Sequence, residues 1–176
     1  KKFFINGTER IANSASKFKN YLIVGILGDE PLVDPDTIDK VINFHLKNKH
    51  KPEIVISTRA MSQDSSENNV RVLSSKSNRI MYLSRAKIPY NYKNSINFVD
   101  KHLSVITFSY IGLMKYKNFK PSPLELTEDI MLLRALENDM KVFSCKIKEK
   151  SFSADVSDDY LKTTIAMSND PYRNKY

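Results

Sequence analysis

The residues best placed to do chemistry sit in "LIVGILGDEPLVDP", positions 22–35, where an apolar run stops at Gly28 and two acids, Asp29 and Glu30, precede a proline-closed turn. In an open α/β sheet, ligands collect beyond the carboxyl ends of the strands. A carboxylate held there can ligate a hard cation such as Mg²⁺, which in turn holds phosphate oxygens. The same acids could instead open a turn and lead into a helix that begins at Pro35. Spacing alone leaves both readings open. Cys145 is the only cysteine and lies in the apolar-leaning run "KVFSCKI", which fits a packed thiol rather than a nucleophile. His45 falls on the apolar side of a helical pattern and reads as a core histidine, whereas His50 reads as a surface residue.

These residues need a scaffold, and the pattern supplies one. "YLIVGIL" is a short continuous apolar run, as expected of a strand buried on both faces in a parallel sheet. Asp34 is placed to cap a helix with Pro35 at its first position, and Ile38, Val41, Ile42, His45 and Leu46 recur at helical spacing. Thr8 is the expected cap of an earlier helix carrying Glu9 in its first turn. Strands are expected at "EIVIST", "NVRVLSS", "RIMYLSR", "LSVITFSY" and "KVFSCKIK". Ser122 and Pro123 open one helix running through Leu126, Ile130, Leu133 and Leu136, and "SDDYLKTTIAMS" forms the last. Alternation of this kind gives an α/β sandwich in a single domain over residues 1–176.

With 176 residues, 41% hydrophobic and 27% charged, the chain can bury a core and is neither disordered nor fibrous. No stretch is apolar enough to cross a bilayer, so a soluble, cytoplasmic protein with no membrane partner is expected. A formal charge of +8 draws anionic partners without choosing among them. The basic segment "MKYKNFKP" interleaves Lys115, Lys117 and Lys120 with Tyr116 and Phe119, as a single-stranded nucleic-acid platform would. It is short and isolated, so a solvated helix end with inward aromatics accounts for it better, and nucleic acid is not an expected partner.

Six segments, in order, resemble the 3-deoxy-manno-octulosonate (Kdo) cytidylyltransferases, the CMP-Kdo synthetases: "NGTERIA", "GDEPLVDPDTIDKVI", "MYLSRAKIPY", "PSPLE", "LRALEN" and "ADVSDDYLK". The resemblance implies a Rossmann-like nucleotide-diphospho-sugar transferase sandwich with a mixed, mostly parallel sheet. It implies transfer of a cytidylyl group from CTP to the anomeric hydroxyl of an acidic keto sugar, with release of pyrophosphate. Asp29 and Asp155 fall on the family's two magnesium-binding aspartates, so Mg²⁺ is the implied cofactor and both are the implied catalytic residues. His102 falls on the histidine beside the sugar. Arg10, Arg85 and Lys87 fall in segments that line the cleft, Gly28 in the turn that holds Asp29, and the family's habit implies a homodimer. "SPLE" is also a capping box, which would explain Ser122 and Glu125 by helix initiation alone.

The chain departs from the pattern in two ways. Nothing corresponds to the family's opening strand and its Gly-rich, Arg- and Lys-bearing phosphate loop, so the fold is expected to be N-terminally incomplete. The acceptor pocket also differs: Leu27, Ile106, Met131 and Leu132 stand where the family has Gln, Tyr, Glu and Gln, and Ser109 where it has Arg. Several apolar groups in place of hydroxyl partners should weaken binding of Kdo itself. The alternative reading is a catalytically inactive nucleotide-binding or interaction module derived from the same family.

Overall fold

A computed structural model describes residues 4, 6–28, 30–63, 66–94, 96–148 and 157–172. In chain order the elements are α1 (Gly7–Ala15), β1 (Leu22–Ile26), α2 (Pro35–Lys47), β2 (Ile54–Ser62), β3 (Arg71–Ser74), β4 (Ile80–Ser84), β5 (Phe98–Ser109), α3 (Tyr110–Asn118), α4 (Pro123–Glu128), α5 (Leu133–Glu137), β6 (Val142–Lys146) and α6 (Ser157–Ser168).

The long strand β5 organises the sheet. One edge pairs antiparallel with β2, from Ile54 opposite Phe108 to Ser62 opposite Phe98. The other edge is shared end to end by two strands: β3 pairs with Asp100 and Lys101, and β1 pairs with Val105 to Ser109. Only the β2–β6 pair is parallel among the described strands, with Ile54 opposite Val142. The sheet is therefore mixed, as expected, but its described pairs are mainly antiparallel rather than mostly parallel. β1 differs accordingly. It pairs with β5 alone among the described strands and is half-buried along most of its length rather than buried on both faces.

Alternation along the strands divides the core into two layers. Ile54, Ile56, Ile106 and Phe108 face a cluster completed by Ala12, Leu113, Tyr116, Leu132 and Leu133 from α1, α3 and the α4–α5 region. Val55, Val105, Phe143 and Cys145 face Val41 of α2. This is the α/β sandwich that the sequence pattern implies. Gly112 shows how closely the layers meet: a Cβ there would lie 2.8 Å from the Glu53 carbonyl oxygen and 2.7 Å from its Cβ, so any side chain forces α3 off the sheet.

Local signals explain most element ends. Asp34 Oδ1 accepts from the Asp36 amide at 2.9 Å and Pro35 occupies the first helical position, which fixes the start of α2. His45 of this helix is buried with Nδ1 2.9 Å from Thr107 Oγ1, as expected of a core histidine. Burial pushes its pKa down to about 4, against a smaller opposing effect from a backbone contact at Pro52. His50 is exposed, its ring stacked on Phe143.

Two helix expectations change. The cap of α1 is Asn6, whose Oδ1 accepts from the Glu9 amide at 2.9 Å, while Thr8 is buried within the first turn. The helix after Ser122 is broken in two at Asp129, which adopts a left-handed conformation with φ 51°. Leu126, Ile130, Leu133 and Leu136 keep helical spacing across a break that periodicity cannot register.

Candidate active site

Between the β3-paired and β1-paired stretches of β5, residues His102, Leu103 and Ser104 border a seam, and a cavity of about 490 Å³ opens there. The ends of the flanking chains reach β5 by single backbone bonds. The His102 amide donates to the Val70 carbonyl at 2.9 Å, and the Leu27 amide donates to the Ser104 carbonyl at 3.2 Å. The cavity is thus a product of topology, lying where two strands that share one edge end and diverge.

One wall is the β1–α2 turn. Leu27 and Glu30, on either side of the Gly28 turn, line the cavity. Glu30 is only 7% exposed, and its Oε2 accepts from Ser104 Oγ at 2.8 Å. Gly28 is exposed; a Cβ there would meet nothing within 4 Å, and its φ is not positive, so neither packing nor backbone conformation demands a glycine. Asp29 and Asp155, the aspartates expected to hold magnesium, lie outside the described residues. Among the described residues no group of three or more His, Cys, Asp or Glu side chains is placed to hold a metal ion.

The floor is β5. His102 Nε2 is enclosed without a hydrogen-bond partner among the described residues, which leaves a polar atom needing a partner in the cavity's lining. Burial, reinforced by the positive charge of Lys101, holds the ring's pKa down at about 4. At neutral pH it is an uncharged imidazole that can donate or accept one hydrogen bond but offers no fixed charge.

The second wall is Asn68, Arg85 and Asp129. Arg85 bridges the parts: Nε donates to the Glu128 carbonyl at 2.9 Å, Nη1 to the Asn68 carbonyl at 3.2 Å and Nη2 to the Asp129 carbonyl at 3.3 Å. Its carbonyl in turn accepts from buried Arg71 Nη1 at 2.7 Å. Arg85 lines the cavity, yet much of its donor capacity is spent on carbonyls that shape the site. Arg10 is exposed on α1 and Lys87 is exposed beyond β4; neither lines the cavity.

Behind Met131 and Leu132, which complete the lining, stands a buried ionic network that the sequence did not announce. Arg134 is fully buried and meets the Glu125 carboxylate with two bonds of 2.6 and 2.8 Å, and Glu9 at 2.9 Å. Its guanidinium also lies 4.8 Å from the centre of the Tyr116 ring. Tyr116 donates to the Met131 carbonyl at 3.0 Å and accepts from Asn6 Nδ2 at 3.0 Å, while the same amide reaches Glu125 Oε1 at 2.9 Å. Three of the resemblance-bearing segments, "NGTERIA", "PSPLE" and "LRALEN", thus each give one charged residue, Glu9, Glu125 and Arg134, to one cluster. Glu125 does more than start a helix, although its Oε2 also accepts from the Ser122 amide at 3.3 Å.

The apolar departures sort by place. Leu27, Met131 and Leu132 line the cavity. Ile106 is instead packed in the core, and Ser109 caps α3 by accepting from the Gly112 amide at 3.0 Å, so neither bears on the cavity lining. Tyr116 is buried and Lys115 pairs with Glu53 at 2.5 Å, which removes one aromatic and one cation from the supposed nucleic-acid platform.

Residues 4–142 match the family model described as cytidylyltransferase. The chain belongs to the cytidylyltransferase family. It is 32% identical over 140 residues to a 3-deoxy-manno-octulosonate cytidylyltransferase of Fusobacterium nucleatum, covering 78% of this chain and 57% of that one. It is 32% identical over 171 residues to the mitochondrial 3-deoxy-manno-octulosonate cytidylyltransferase of Arabidopsis thaliana, covering 92% and 58%. Its fold matches the solved CMP:2-keto-3-deoxy-manno-octonic acid synthetase complexed with CTP, with a TM-score of 0.85 at 18% identity over 94% of this chain and 69% of that one. The chain spans 57 and 58% of the length of these two curated relatives. No described helix is long and apolar enough to cross a membrane.

Proposed function

We propose that this chain is the greater part of a cytidylyltransferase that transfers a cytidylyl group from CTP to an acidic keto sugar of the Kdo type, releasing pyrophosphate. The observation that carries the reading is the seam cavity of a family member, bordered by the acidic β1–α2 turn on one side and by Arg85 and His102 on the others. In the reaction the anomeric hydroxyl oxygen forms a bond to the α-phosphorus of CTP. The bond from that phosphorus to the bridging oxygen breaks, pyrophosphate leaves with the electron pair, and the hydroxyl gives up its proton. Catalysis of this kind is positioning and charge neutralisation.

The described residues divide that work. Neutral His102 would hydrogen-bond a hydroxyl or carboxylate of the acceptor, and Arg85 would keep the far wall in place while adding positive charge. Leu27, Met131 and Leu132 would give the acceptor an apolar surface, so an acceptor with fewer hydroxyls to satisfy than Kdo suits this site. The resemblance supplies Asp29 and Asp155 as the residues that would hold Mg²⁺, which when bound neutralises phosphate charge. A cytoplasmic homodimer belongs to the same proposal.

The test is pyrophosphate release by the full-length protein from CTP and Mg²⁺ over a panel of keto-acid sugars, with the oligomeric state measured by light scattering. Turnover with one acceptor that collapses in Asp29→Asn and in Asp155→Asn supports the reading. CTP binding without turnover on any acceptor supports the inactive module instead. Turnover unchanged in either variant removes that aspartate from the mechanism.

A further inference from the structure

Among the described residues, a single residue supplies the hydrogen bonds that reach the turn between β1 and α2 from outside, while Val33 at its far end packs against the core. After the Leu27 amide meets the Ser104 carbonyl, the next backbone bond described along the chain is Thr37 to Asp34, inside the start of α2. Between them, among the described residues, the bond from Ser104 Oγ to Glu30 Oε2 at 2.8 Å is the only hydrogen bond that reaches residues 28 to 33. Backbone sterics do not replace it, since Gly28 has open space around its α-carbon and an ordinary φ. Ser104 is 1% exposed and sits in β5 two positions after His102, so strand alternation puts both on one face, and both line the cavity.

We propose that Ser104 is a positioning residue for cytidylyl transfer, pinning both ends of the Gly28 turn at once: its carbonyl fixes Leu27 and its hydroxyl fixes the Glu30 carboxylate. The proposal rests on the transfer reading given above. The hydroxyl is buried at the cavity, so its bond to a carboxylate is worth more than the same bond in water and is lost whole when either partner is removed. The backbone half of the clamp belongs to the sheet and survives any substitution. Loss of the hydroxyl should therefore free the Glu30 end of the turn while leaving the fold intact, and a displaced turn slows in-line transfer without abolishing nucleotide binding.

The experiment compares Ser104→Ala, Glu30→Ala, the double variant and Ser104→Thr in the full-length protein. It measures pyrophosphate release from CTP, CTP affinity and, by NMR relaxation, conformational exchange of the backbone over residues 22–34. Ser104→Ala is expected to lower kcat roughly ten- to a hundredfold with little change in CTP affinity and with cooperative unfolding retained. Conformational exchange should increase at Glu30, Leu32 and Val33 and stay low in β1. Because the two side chains act through one bond, the double variant should be no slower than Glu30→Ala. Ser104→Thr, which keeps the hydroxyl, should recover most of the lost rate. Wild-type kcat in Ser104→Ala, multiplying losses in the double variant, or unchanged exchange would each overturn the proposal. Absence of pyrophosphate from the unsubstituted protein would instead sink the transfer reading and the role in transfer with it, while the exchange data would still show whether the clamp exists.

Discussion

The two sides of the cavity are held in opposite ways. Behind Met131 and Leu132 lies a closed ionic and aromatic cluster in which Arg134, Glu125, Glu9, Tyr116 and Asn6 satisfy one another out of water. Across the seam, one serine hydroxyl makes the only side-chain hydrogen bond that reaches the turn from Gly28 to Val33 among the described residues, and Val33 alone anchors it in the core. The contrast teaches a division of labour: one wall is over-determined and serves as a reference surface, while the other has few contacts and can adjust to a ligand. Low local stability is common in segments that must respond to binding.

The largest effect should come from breaking the rigid side. Arg134→Ala leaves the Glu125 and Glu9 carboxylates without their cation, and removing one member of a buried ion pair costs about 3–5 kcal/mol. Urea denaturation should show a loss of that order; a loss below about 1 kcal/mol would mean that the cluster does not hold this wall.

Acid should reach the other side first. His45 packs on Thr107 of β5, the strand that carries Ser104, and its folded pKa of about 4 lies below the ordinary 6.5. Its contribution is full above pH 6.5 and is lost as the pH falls towards 4, because the unfolded chain takes up the proton more readily. From the size of the shift this amounts to about 3 kcal/mol at most. Unfolding midpoints measured across that range should fall steeply in the native protein and more gently in His45→Gln. An equal slope in both would remove His45 as the cause.

Gly112→Ala comes next, since the new methyl would press on the Glu53 backbone and lift α3, the helix that carries Tyr116 into the cluster. A loss of about 1–3 kcal/mol is expected, read as a lowered thermal midpoint. The smallest effect sharpens the comparison from outside. Lys115 also meets a carboxylate, that of Glu53, but its side chain is 55% exposed, so Lys115→Ala should cost less than about 1 kcal/mol. Burial raises the Glu53 pKa, yet Lys115 and the Lys141 amide more than offset this, so the carboxyl sits below its ordinary range. What the pair contributes is present above pH 4.5 and fades as the carboxylate takes up a proton below it.

Much of the scaffold could be read from local rules. The Asp34–Pro35 start of α2, the extent of α6 and the β3–β4 pairing all follow from caps, periodicity and turn residues. The break at Asp129 is invisible to periodicity because Leu126, Ile130, Leu133 and Leu136 keep helical spacing across it, although Leu126 is exposed and the other three pack inward. The direction of β1 escaped because a continuous apolar run does not distinguish parallel from antiparallel neighbours. At the site, His102 and Arg85 were legible through resemblance, and both line the cavity. Glu30 was visible as one of two adjacent acids, but its partner lies 74 positions away, and no spacing rule spans that distance. Nothing in the spacing of "LRALEN" marks Arg134, because its partners Glu9 and Glu125 come from α1 and α4.

That pairing has a consequence for how the molecule is made. Glu9 and Arg134 are 125 positions apart, so α1 waits for its counter-charge until the chain between them has been synthesised. Until Arg134 leaves the ribosome, Glu9 and Glu125 lack the guanidinium that neutralises them in the fold. Completion of the ionic cluster is thus tied to the arrival of Arg134, and chain-length-dependent protease protection of α1 would appear abruptly once that residue emerges.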